Sequence, residues 1–244
     1  MSVGISNNYA NLQKNERKIS FEGKINARKY IELTPGSPVS DAFVKEMAQG
    51  LESIDGRILK HVTKDGNFKM KLAQKTTDAF PALKGLPAPG YPKGYTVDSA
   101  PAMSMGEGLT GFFEKPINQE KPTPVSIVHE IGHELDNLFK KRFTGTEGFT
   151  EVYLKDIQNL PENMKRYSKK VENADSYINY VIQGSTSHNA TARGKGEAFA
   201  ELFAMLNGGS VQEDYSKGMD KLYKQVFSNT TAYVEKLLYL MGKR

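Results

Sequence analysis

Two imidazoles and a carboxylate open the reading of this chain. His129-Glu130-Ile131-Gly132-His133 places two histidines four residues apart with a glutamate directly after the first. On a helix, at about 100° per residue, such histidines lie within about 40° of one another, one turn apart. Their ring nitrogens can then converge on one Zn²⁺ at about 2.0–2.1 Å. Glu130 sits about 100° round the helix from His129, beside the ion, where a general base can take a proton from a metal-activated water. The chain contains four histidines, and two of them fall in this pattern; the others are His61 and His188.

A catalytic zinc site needs a third protein ligand and an open position. The chain has no cysteine, so thiolate ligands and disulfides are excluded and the third donor must be a carboxylate, His61 or His188. Glu197 and Glu201 are four apart in an apolar stretch, 197–206, that reads as a helix with the small residues Ala200 and Ala204 on the glutamate face. A helix this apolar is expected to be buried, and buried carboxylates need a metal or a partner. One of the two glutamates as ligand, and the other as acceptor for a ligand-histidine N–H, satisfies both. Asp136 lies about 20° from His129 on the helical wheel and is a further candidate to orient a histidine.

The elements that must position these groups follow from periodicity. Residues 1–38 read as a mobile polar leader, and 39–244 as one domain. Within the leader, Tyr30, Ile31 and Leu33 are among the apolar residues that could dock on the body. Ser40 caps a helix running to about Ile54, and 57–63 is ambiguous between helix and strand. Phe68, Met70 and Leu72 alternate with Lys69 and Lys71 as in a half-buried strand. Residues 81–101 are rich in proline and glycine and read as loop, with a brief strand at 95–97. Leu109 to Phe113 is a strand that, if it lies at a sheet edge, can pair with an extended peptide. Thr123 and Pro124 start the histidine helix, which carries Phe139 and the basic residues Lys140, Lys141 and Arg142 at its end. Gly132 in its interior costs about 1 kcal/mol relative to alanine, which a close approach by a neighbouring backbone would explain. One or two helices span 149–182, a polar loop spans 184–196, and a last helix covers about 219–241.

Net charge is +5, spread along the chain, and reads as a solvated surface; no nucleic-acid motif and no apolar run long enough for a membrane span is present. Met1 to Ala10 is not a secretory signal peptide. A cytoplasmic protein, or one secreted or delivered into another cell by a route that needs no such signal, is expected.

The two acidic and histidine segments together, HEIGHELD at 129–136 and GEAFAELFA at 196–204, resemble the anthrax lethal factor-like zinc metallopeptidases, which include the Pro-Pro endopeptidases. The resemblance covers about residues 40–240. It implies an α+β, zincin-like metalloprotease fold, mostly helical with a small mixed sheet. It further implies His129, His133 and Glu197 as zinc ligands, Glu130 as catalytic base and acid, and Glu201 and Asp136 as groups behind them. The family carries a tyrosine seven residues before the ligand glutamate, where it stabilises the oxyanion. Here that position is Ala190, and His188 or Tyr180 is the candidate replacement. The expected activity is that of a monomeric bacterial zinc endopeptidase, an effector or toxin acting on protein or peptide substrates bound in extended form. The alternative is a zinc-binding interaction module that is catalytically silent.

Overall fold

The structure, a computed structural model, describes residues 26–88, 94–138, 142–208 and 214–242. Its mixed sheet is built from β1 (Ile31–Leu33), β2 (Lys69–Ala73), β3 (Ala102–Gly106) and β4 (Leu109–Phe113), in the order β1-β2-β4-β3. The β1-β2 and β2-β4 pairs are parallel, and β3 runs antiparallel to β4. The helices are α1 (Asp41–Glu52), α2 (Gly56–Thr63), α3 (Thr76–Ala79), α4 (Pro124–Asn137), α5 (Glu147–Gln158), α6 (Leu160–Tyr167), α7 (Ala174–Ile182), α8 (Ala192–Asn207), α9 (Asp214–Val226) and α10 (Ser228–Gly242). Among the described residues no helix is long and apolar enough to cross a membrane.

Local chemistry explains most of these boundaries. The Ser40 hydroxyl accepts from the Phe43 N–H at 3.2 Å and starts α1. Pro124 takes the first position of α4, while the Thr123 N–H donates to the Ser126 hydroxyl at 3.1 Å. The alternation in β2 buries Met70 and Leu72 against the helices and leaves Lys69 exposed. Segment 57–63 is helical, as α2, capped by Asp55 through the Arg57 N–H at 2.9 Å.

Several expectations change, and the one or two helices expected over 149–182 are three, α5, α6 and α7. The leader ends earlier than residue 38: Ala27 is fully buried, Ile31–Leu33 pairs with Met70–Leu72, and the Ser37 hydroxyl donates to Asp78 at 2.7 Å. Residues 1–25 lie outside the described residues. The single helix expected at 219–241 is two, because the N-terminus of α10 is capped by Asp156 of α5, which accepts from Thr230 N and Oγ1 at 2.7 Å each. Helix α8 begins five residues earlier than expected, at Ala192, where the Thr191 hydroxyl accepts from Gly194 N at 2.9 Å. The edge strand beside α4 is β3, whereas β4 has neighbours on both sides and its ladder is spent. At 95–97 there is a lone bridge, Pro87 with Thr96, and a 3₁₀ turn starting at Val97. Of the expected end of α4, Phe139, Lys140 and Lys141 lie outside the described residues, and Arg142 follows the helix.

The pair that matters most is α4 on α8. Ile127, Val128, Ile131 and Leu135 of α4 are fully buried, as are Phe199, Leu202 and Phe203 of α8; each such side chain contributes about 1.5–3 kcal/mol by leaving water. Gly132 makes the approach close: a Cβ there would lie 2.8 Å from Ala200 Cα and 3.2 Å from Phe203 Cβ. The missing side chain at 132 and the small one at 200 let the two backbones come near enough for short-range chemistry between them.

Candidate metal centre

Where α4 and α8 touch, they present His129, His133 and Glu197 to a shared cleft of about 550 Å³. His129 Nε2 and His133 Nε2 are 3.2 Å apart. Glu197 Oε2 lies 3.4 Å from the first and 3.6 Å from the second. A tetrahedral ion with bonds of about 2.0–2.1 Å separates its ligand atoms by about 3.3–3.4 Å. The observed edges of 3.2, 3.4 and 3.6 Å bracket that separation, so the group could hold one metal ion.

The chemistry of the donors fits the same conclusion. Glu197 Oε2 is buried and has no hydrogen-bond partner, a costly state for a carboxylate oxygen unless a cation completes it. Burial opposes its charge, yet the imidazoles of His129 and His133 outweigh that and hold its carboxyl well below the usual carboxylate range. His129 Nδ1 donates to Glu201 Oε2 at 2.9 Å. Against burial, Glu197 and Glu201 hold the His129 ring well above its ordinary range, so a metal must displace the Nε2 proton; with Nδ1 tied to Glu201, Nε2 is the nitrogen then turned to the centre. Glu201 also accepts a short hydrogen bond from the Tyr177 hydroxyl of α7. Burial and then the Glu201 charge push the Tyr177 hydroxyl well above its ordinary range, so it remains a donor at neutral pH. Tyr177 thus fixes Glu201, and Glu201 fixes the ring of His129.

Glu130 faces the cleft one residue from the first ligand. Burial raises its carboxyl above the ordinary value, with the His133 and His129 rings and the Ser104 backbone N–H acting against that rise. A carboxylate made more basic beside a metal-ligand set has the properties of a general base.

Two expected residues have other surroundings, although Asp136 still lines the cleft. Asp136 orients neither histidine: it is 2% exposed and its oxygens accept from Thr144 N at 3.0 Å and Thr144 Oγ1 at 2.7 Å, fixing the turn after α4. The angular coincidence on the wheel was real, but the chain turns back beneath α4 and supplies nearer donors. His188 is exposed in the turn closed by Thr186 and Asn189 and does not line the cleft. His61 approaches Met241 O at 3.3 Å and does not line the cleft. Tyr180 and Arg193 do line the cleft. Tyr177 carried no signal in the sequence, since it meets Glu201 only through tertiary packing across 24 residues. In comparison with known proteins, no family model matches the chain and no curated protein matches it.

Proposed function

We propose that the chain is a zinc-dependent endopeptidase with a zincin-like fold of the anthrax lethal factor-like kind, an exported bacterial effector or toxin. The observation that carries this reading is the unpartnered Glu197 Oε2, set against two imidazole nitrogens at the spacing of a tetrahedral ion. His129, His133 and Glu197 would hold the zinc. When bound, zinc supplies a Lewis acid that polarises a carbonyl and acidifies water. Glu130 takes the proton from the attacking water and passes it to the leaving nitrogen as the C–N bond breaks. Glu201 and Tyr177 keep His129 in the tautomer that exposes Nε2.

The edge strand supports an extended substrate. The Phe113 N–H donates to Pro101 O at 2.9 Å, so by alternation the main-chain groups of Ala102 and Ser104 turn away from β4. Ala102 and Ser104 also line the cleft. A peptide can therefore add to β3 as a further strand, and β3 replaces Leu109–Phe113 as the substrate strand. Arg193 lines the cleft and could donate to an oxyanion there in place of the family's tyrosine.

One observation favours the silent binding module: Ala190 packs on the core and offers no donor at that tyrosine's position. Zinc-loaded wild type and Glu130→Ala, incubated with unfolded casein, separate the two. The peptidase reading expects wild type to cut and Glu130→Ala to lose about 10²–10⁴-fold in rate. Equal inertness with zinc bound would reject it.

A further inference from the structure

Next to the second histidine, Glu134 points away from the cleft and is 1% exposed. Its oxygens are fully used. Oε1 accepts from Ser104 Oγ at 2.6 Å and from Gly106 N at 3.1 Å, and Oε2 accepts from Gly108 N at 2.8 Å. All three donors belong to β3 and the turn that joins it to β4.

That turn is unusual. Gly106, Glu107 and Gly108 have φ of +77°, +56° and +83° in succession. Left-handed backbone costs a non-glycine residue roughly 1–2 kcal/mol. In return it points successive N–H groups inward, forming a concavity that binds an anion. Here the anion is a side chain of the protein itself, on the helix that carries the histidines. The ladder is also shifted between Ser104 and Gly106. The Ser104 hydroxyl, on the strand itself, is held by Glu134 of α4.

We propose that Glu134 is a positioning residue for substrate. By anchoring the 106–108 turn and the Ser104 hydroxyl, it fixes β3 where its main chain meets a peptide in the cleft, an inference that rests on the peptidase reading. The strand has a neighbour on one side only, so nothing else in the sheet sets its distance from α4. A carboxylate is required. Glutamine has one acceptor and one NH₂, so one of the two backbone donors, Gly106 N or Gly108 N, would face a donor, whereas the Ser104 hydroxyl can turn to accept. The packing of α4 on α8 does not pass through these bonds, so the ligand set survives their loss.

The test compares wild type, Glu134→Gln and Ser104→Ala for zinc content, amide hydrogen exchange and steady-state cleavage of unfolded casein. All three proteins are expected to hold one zinc. In Glu134→Gln, the Gly106 or Gly108 amide should exchange about ten-fold faster or more, and KM for casein should rise by about as much while kcat changes less than about three-fold. Ser104→Ala, losing one contact of three, should shift KM the same way by less. Unchanged exchange, or a fall in kcat at constant KM, overturns the proposal and leaves the peptidase reading standing. A wild type that binds zinc and cuts nothing overturns both.

Discussion

Asp156 and Glu197 are both acids inside the fold, and their oxygens have opposite surroundings. Asp156, on α5, is 1% exposed and accepts four hydrogen bonds, from Asn229 N and Nδ2 and from Thr230 N and Oγ1. Glu134 accepts three, and Asp136 two. Each of these acids ties a helix to a turn or to another helix. Glu197 has an oxygen that meets no hydrogen-bond partner at normal distance among the described residues and faces two imidazole nitrogens at 3.4 and 3.6 Å. Acids that hold the scaffold are saturated by N–H and O–H groups. Glu197, in the proposed metal centre, is held in place by its helix and left short of a partner that a cation could supply.

The largest effect is expected where that contrast is sharpest. Glu197→Gln should weaken zinc binding by about 10³-fold or more, beyond the 10–100-fold typical of groups behind a ligand. Zinc titration of the chelator-stripped protein reads the loss.

Asp156→Ala should act on stability instead. It strands two backbone N–H groups at the start of α10, and denaturant unfolding should show a loss of about 3–5 kcal/mol at unchanged zinc content. If instead it abolishes zinc binding in folded protein, the division between the two kinds of acid fails.

Glu201→Gln tests the intermediate case, an acid that serves the centre through a histidine. Zinc affinity should fall by about 10–100-fold, and Tyr177→Phe should follow in the same direction with a smaller loss.

The smallest effect concerns Asp220 of α9, whose carboxyl burial lifts to about 6. An acid with a raised folded-state pKa binds more protons folded than unfolded, so it costs stability as pH rises from its ordinary range through about 6. Asp220→Asn should therefore be more stable than wild type at pH 7, by about 1 kcal/mol after allowance for solvent screening, and the gap should close at pH 4. Equal midpoints at both pH values would contradict this.

How much of this was readable beforehand depends on the range of the interactions. The histidine pair, Glu130 and the two glutamates of α8 follow from spacing along single helices, and Gly132 signalled the close packing that Ala200 completes. Strand β2 was legible because one of its faces is buried and the other is not. Strand β3 was not. Its residues, Ala-Met-Ser-Met-Gly, are partly exposed and show no alternation, and they follow a proline-rich loop. What makes them a strand is pairing with β4 and the Glu134 anchor, both tertiary. The same holds for Asp136, where helical angle pointed to His129 but Thr144, eight residues on, supplied the partner. Break points such as Phe227, between α9 and α10, depend on the distant cap from Asp156 and leave no local trace.

One measurement bears most directly on the central triangle: X-ray diffraction from zinc-soaked crystals, collected on both sides of the zinc absorption edge. A single anomalous peak is expected about 2.0–2.1 Å from His129 Nε2, His133 Nε2 and Glu197 Oε2 alike. No peak between the three, or one bound by Glu201 with Glu197 turned away, would contradict the account.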